Sequence, residues 1–198
     1  ILMSQFPEHE ALINLSKGLA RIQHLVTQLL ALAKQDVGLN LIEPNTEFRL
    51  NDVALNCVEQ LVNLAMQKEI DLGFERNDVI EMNSLESTIH SIIFNLIDNA
   101  IKYTPNQGII NISVYSDQDN FACVQIEDSG VGIDPENYDK VLKRFYRVHH
   151  HLEVGSGLGL SIVDKAIQRL GGTLQLSRSI DLGGLSVLVR LPKILNHH

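Results

Sequence analysis

The chain has 198 residues, 44% hydrophobic and 20% charged, and its 16 basic and 24 acidic side chains give a net charge of −8. That length suits one domain with an appendage, or two small domains, around a core of ordinary size. The composition excludes a disordered or collagenous chain, no apolar run approaches the roughly 18 residues of a membrane span, and the acidic balance lacks the positive field that sequence-independent nucleic-acid or anionic-membrane binding requires.

Residues 10 to about 36 are expected to form one long helix. Leu12, Leu15, Leu19, Ile22, Val26, Leu29 and Ala33 recur at alternating spacings of three and four, which is a heptad seam. Leu25, Leu30 and Leu32 widen that stripe to the breadth of a helix bundle. Gly38, Asn40, Pro44 and Asn45 then mark a linker. The start at Ile1 and the terminal His197-His198 read as an excised piece of a longer protein with a tag remnant.

From Phe48 the pattern changes. Asn51 or Asp52 is placed to cap a helix through about Lys68, with Val53, Val58, Leu61 and Leu64 inward. Short strands are expected at Ile70–Glu75 and Val79–Met82, and a second helix, capped by Asn83 or Ser84, reaches about Tyr103. Gly108–Tyr115 and Phe121–Glu127 alternate as strands around the polar turn Asp117-Gln118-Asp119-Asn120. A short helix is expected near Pro135–Leu142 and a longer one over Leu158–Leu170. Thr173–Ser179 and Leu185–Leu191 form a closing hairpin around Asp181-Leu182-Gly183-Gly184. The sum is a bundle helix followed by a two-layer α/β sandwich, its helices on one face of a mixed sheet. The apolar neighbours of Cys57 and Cys123 favour buried, reduced thiols over a disulfide.

Four segments carry chemistry. In Asn95-Leu-Ile-Asp98-Asn99-Ala-Ile-Lys102-Tyr103, helical spacing sets Asn95 at 0°, Asn99 near about 40°, Lys102 near about −20° and Asp98 near about −60°. Ile89, Ile93, Leu96 and Ala100 form the opposite, apolar face. Carboxamide oxygens are hard ligands suited to Mg²⁺, and a lysine is a point charge suited to phosphate. Next, Asp128-Ser129-Gly130-Val131-Gly132-Ile133 follows a strand. Its glycines allow a turn that hugs a ligand, and Asp128 can accept a hydrogen bond from an exocyclic amine such as that of adenine. Third, Gly155-Ser156-Gly157-Leu158-Gly159-Leu160 opens a helix whose bared N–H groups and dipole favour anions. It is neither a Walker loop nor a Rossmann fingerprint. Last, Arg144-Phe145-Tyr146-Arg147 places two cations around an aromatic pair.

In this order the four segments resemble the N box, first glycine box, F box and second glycine box of bacterial sensor histidine kinases, within the GHKL (Bergerat) ATP-binding fold shared with gyrase, Hsp-type chaperones and the mismatch-repair ATPase. The resemblance runs from the bundle helix to Pro192. It implies an ATP site in which Asn95 and Asn99 hold Mg²⁺ and phosphate and Lys102 and Arg147 meet phosphate. Asn95 and Lys102 would be the catalytic pair. Tyr103 would line the adenine pocket with Gly130, Gly132 and Ile133, and Asp128 would read the adenine amine. Gly155, Ser156, Gly157, Leu158, Gly159 and Leu160 would wrap the phosphates, and Phe145–Gly155 would be a mobile lid. It also implies a domain division: 1–38 as the second helix, with a stub of the first, of a dimerisation and phosphoacceptor hairpin; 39–47 as linker; 48–192 as catalytic domain; and 193–198 as tail. The implied activity is a protein histidine kinase that moves the γ-phosphate of ATP to a histidine and then to a response-regulator aspartate. The implied partners are ATP or ADP, the chain's own hairpin in a full-length homodimer, and that regulator. The parent would sit in a bacterial inner membrane with this portion cytoplasmic and itself touching no membrane.

The GHKL hydrolases carry Glu where Asn95 stands, and an amide cannot serve as the general base for water. Asn95 and the heptad helix therefore oppose a GHKL ATPase or an anti-sigma serine kinase. The set of Asn99, Lys102, Asp128 and glycine loops opposes a degenerate scaffold. His9-Glu10 is followed by Ala11, Leu12, Ile13 and Asn14 rather than the family's basic residue, hydroxyl and proline. The acceptor histidine is therefore expected upstream of Ile1, and no autophosphorylation is expected of the chain itself. His24 reads as a surface or interface residue, and His149-His150-His151 as a solvated loop rather than a metal site. Leu142 and Lys143 stand where the F box usually has Phe and Glu, and Leu185 where Thr often follows the last glycine pair.

Overall fold

The computed structural model describes residues 44–146 and 159–194. The heptad helix, His9, His24, Arg147, the His149–His151 run, Gly155, Ser156, Gly157, Leu158 and the last four residues lie outside them.

In chain order the described elements are β1 (Thr46–Arg49), α1 (Leu50–Gln67), β2 (Asp71–Asn77), β3 (Glu81–Ser84), α2 (Glu86–Tyr103), β4 (Ile109–Ser116) and β5 (Ala122–Asp128). A 3₁₀ turn (Pro135–Asn137) and α3 (Tyr138–Val141) follow, then α4 (Gly159–Arg169), β6 (Thr173–Arg178) and β7 (Leu185–Leu191). The main sheet runs β2-β4-β5-β7-β6, while β1 and β3 form a separate two-stranded sheet. Only the β2–β4 pair of the main sheet is parallel.

Strand alternation explains the layers. Ile110, Ile112 and Val114 on β4, Val124 and Ile126 on β5, and Val187, Val189 and Leu191 on β7 are buried in one core with Ile89, Ile93, Leu96 and Ile97 of α2. Their neighbours Ser113, Tyr115, Gln125 and Arg190 lie on the other, polar face, where Gln125 bonds both Tyr115 and Ser186. A sheet with one buried and one wetted face is the two-layer α/β sandwich expected from the pattern.

Boundaries differ where a backbone partner replaces a side-chain cap. α1 begins at Leu50, ahead of Asn51 and Asp52, and its N-cap Arg49 makes no side-chain cap bond. The first orphan N–H of this helix, on Leu50, is met instead by the Ile80 carbonyl at 2.9 Å. Likewise Ser84 does not cap α2. It ends β3, paired with Thr46, and Leu85 takes the N-cap position. β1 straddles the end of the expected linker, and with Thr46, Glu47 and Arg49 exposed it shows no apolar alternation. The expected Val79–Met82 strand is displaced to Glu81–Ser84, with Val79 outside and largely exposed. The expected Pro135–Leu142 helix is a 3₁₀ turn followed by one short α turn. Both cysteines are free and buried, and burial pushes the Cys57 thiol up to about 12.

Candidate functional site

The last three turns of α2 carry Asn95, Asn99, Lys102 and Tyr103. The amide nitrogen of Asn95 donates to the Ser91 carbonyl one turn back at 2.7 Å, which leaves its Oδ1 for an outside donor or cation. The end of this helix is fastened from α1. Lys68 Nζ donates to the carbonyls of Ile101 at 2.8 Å and Lys102 at 2.9 Å, a cation where the helix dipole is negative. Lys68→Met is expected to cost about 1–3 kcal/mol of stability by orphaning both carbonyls, measurable by urea unfolding.

Asp98, expected at the edge of the polar face, is instead buried, with 8% of its surface exposed. Its Oδ2 forms an ion pair with Lys102 Nζ.

Asp128 ends β5 and is 5% exposed. Two backbone N–H groups converge on its Oδ1, from Gly130 at 2.8 Å and Leu185 at 3.2 Å. The Gly184 N–H also donates to the Asp128 carbonyl at 3.1 Å. Among the described residues both bonds to this carboxylate fall on Oδ1 and none on Oδ2. Burial raises the Asp128 carboxyl above the ordinary carboxylate range, while the two backbone bonds pull it down.

The glycines of this site are required by close approach. A Cβ on Gly130 would sit 2.6 Å from the Tyr103 carbonyl oxygen, and one on Gly184 would meet Asp128 O, Asp128 Oδ1 and, at 2.6 Å, the Gly130 nitrogen. Gly132 adopts a φ of +68° against Gly184. A Cβ on Gly159 would lie 3.2 Å from the Asn99 amide nitrogen, so a glycine at the first residue of α4 lets that N-terminus come down onto Asn99. Anion-favouring backbone N–H groups and a carboxamide thus share one spot.

The structure therefore brings together Asn99 with Gly159, Tyr103 with Gly130, and Gly132 with the β6–β7 turn. Ile133 is half-buried, Leu160 packs on the core, and Tyr103 is partly exposed. Of the fourth segment, Arg144 is half-buried and Phe145 is exposed with a φ of +65°. Tyr146 donates its hydroxyl to Asn137 Oδ1 at 3.1 Å.

Sequence reasoning missed Gly184, the Leu185 N–H and the Asp98 partner of Lys102. The Gly183-Gly184 pair signalled a turn, but only the β5–β7 pairing brings that turn to Asp128.

Comparison with known proteins gives these features their relatives. The family described as histidine kinase-, DNA gyrase B-, and HSP90-like ATPase matches residues 84–194. The chain is 32% identical over 195 residues to the sensor protein kinase PmrB of Pseudomonas aeruginosa, covering 97% of this chain and 40% of that one. It is 30% identical over 181 residues to the sensor protein QseC of Escherichia coli K12, covering 91% and 39%. The chain spans about 40% of the length of these curated relatives. Among solved structures, the catalytic domain of histidine kinase ThkA superposes with a TM-score of 0.67 at 27% identity, covering 76% of this chain and 96% of that one.

Proposed function

Since this chain belongs to the histidine kinase-, DNA gyrase B-, and HSP90-like ATPase family, we propose that it is the ATP-binding catalytic part of a sensor histidine kinase. In this reading the γ-phosphate of ATP passes to a histidine of the dimerisation hairpin and on to an aspartate of a response regulator. The intact parent would be a membrane-anchored homodimer, with this part in the cytoplasm. The observation that carries the reading is the buried Asp128, whose Oδ1 is occupied by two backbone N–H groups while Oδ2 is left for a base amine.

The residues present fit a Mg²⁺–ATP complex. Asn95 presents Oδ1, Asn99 sits against the N-terminus of α4, and Gly159 leaves there a cradle that a Cβ would crowd. Amide oxygens of Asn95 and Asn99 would hold the metal and phosphate oxygens, and Mg²⁺ would neutralise phosphate charge. Lys102 would meet a phosphate as a point charge. Asp128 would select adenine, since guanine presents a carbonyl where adenine presents its amine. With an amide at position 95, no side chain there can take a proton from water, which supports transfer to a protein group over hydrolysis.

Titration calorimetry with ADP, with and without Mg²⁺, tests the reading directly. The chain is expected to bind one ADP in a Mg²⁺-dependent manner, and Asn99→Ala to lose the difference between the two conditions. Binding that is indifferent to Mg²⁺ in the parent chain would defeat the assignment. None of the eight histidines stands in the acceptor box, so incubation with labelled ATP is expected to leave no acid-labile label on this chain. Label mapped to His9 or His24 would contradict that expectation.

A further inference from the structure

The ion pair inside α2 joins two side chains of unequal exposure. Asp98 lies between Asn95 and Lys102 on the helix, and its side chain is 12% exposed against 30% for that of Lys102. The two partners are therefore unequal. Lys102 keeps the larger share of its water, and Asp98 has given up most of its own. Ion pairs this desolvated contribute little net stability, because the cost of taking a carboxylate out of water offsets the attraction.

From this we infer that Asp98 is a positioning residue for Lys102, holding its ammonium where a nucleotide phosphate arrives. The inference rests on the reading of Lys102 as a phosphate contact. Lys102 is restrained at both ends. Its carbonyl is bonded by Lys68 Nζ at 2.9 Å, and its own Nζ is bonded by Asp98. An ammonium has three N–H donors. One goes to Asp98, and the remaining two belong to the partly exposed head on the helix face shared with Asn95 and Asn99. A lysine stem otherwise samples many rotamers, and ordering it in advance removes a cost that phosphate binding would have to meet.

The experiment is a double-mutant cycle of Asp98→Asn, Lys102→Met and the two combined, reading ADP affinity against adenosine affinity by competition, with melting temperature alongside. Asp98→Asn is expected to weaken ADP by about threefold or more, to leave adenosine unchanged, and not to lower the melting temperature. In the Lys102→Met background the same change is expected to have no effect on ADP. Lys102→Met alone takes this cation away from a largely buried carboxylate and is expected to melt earlier than the double variant. The double variant carries no such charge and keeps the cycle readable. Tighter ADP binding in Asp98→Asn would make Asp98 a competitor for Lys102 and overturn the inference. So would unchanged ADP binding, an equal loss for adenosine, or an ADP loss that persists without Lys102. If removing Lys102 in the double variant leaves the ADP-to-adenosine ratio at the parent value, the phosphate role of Lys102 fails first, and the inference fails with it.

Discussion

Asp128→Asn is expected to bind ADP about ten- to a hundredfold more weakly, the equivalent of one charge-assisted hydrogen bond, and yet to melt at a higher temperature than the parent chain at neutral pH. The amide oxygen can still accept from Gly130 and Leu185, which approach Oδ1 at 2.8 and 3.2 Å. What disappears is a buried negative charge and, in the proposed site, the acceptor for the base amine. Burial raises the Asp128 carboxyl in the folded chain. The folded state therefore binds its proton more tightly than the unfolded state does, and the ionised form costs stability. That cost is absent below the unfolded carboxylate range and is fully present above the raised folded value. The stabilisation by Asn should accordingly be seen at pH 7–8 and fade as the pH falls toward the ordinary carboxylate range. Each kcal/mol corresponds to about 2–4 °C in a chain of this size. Thermal melts of both proteins without nucleotide, across that pH range, check the stability half. Calorimetry with ADP and GDP checks the other half, with the preference for adenine expected to narrow. A variant that melts lower than the parent at pH 7 would show that the carboxylate is held by more than its backbone contacts.

Gly184→Ala is expected to cost about 3 kcal/mol or more and to remove nucleotide binding with it. A Cβ there meets the Asp128 carbonyl, the Asp128 carboxylate and the Gly130 nitrogen together. Two of these atoms are backbone, so no rotamer change relieves the clash. Overpacking of this kind sits at or beyond the upper end of its usual range. Gly183→Ala is the control. That residue has a φ of +80°, but a Cβ on it meets nothing within 4 Å. It should show only the modest strain of a left-handed alanine, about 1 kcal/mol. Urea unfolding of the two variants should therefore separate them clearly. Equal losses would mean that conformation, rather than crowding at Asp128, governs the turn.

Which parts of this molecule could be read from its residues follows from where the information lies. Helices α1, α2 and α4 and strands β4, β5 and β7 carry their own periodicity, and Asn95, Asn99 and Lys102 share one face because 3.6 residues make a turn. β1 carries none, since its pairing partner is 38 residues away and its own side chains mostly face water. The same holds for the helix starts. Leu50 gains its cap from the Ile80 carbonyl, a contact that exists only after β3 has folded beside it. At the candidate site Asp128 and Gly130 were legible as a strand end and turn. The contribution of Gly184 and Leu185, from the start of β7 some 57 residues further along the chain, was not. Asp98 misled for a different reason: helical angle places it near the polar face, while in the folded chain it is buried and pairs with Lys102.

The hold on Asp128 is made wholly of main chain: the N–H groups of Gly130, Gly184 and Leu185. An N–H is present in every amino acid but proline, so this device stores almost nothing in side-chain identity. Where Thr often stands in the resembling kinases, Leu185 keeps the same donor. In a saturation scan, position 185 should therefore be permissive to everything that β7 can pack and closed to proline, while positions 130 and 184 should admit glycine alone. Drift can rewrite the lettering around this carboxylate without moving it, which makes its geometry far more heritable than the residues that surround it.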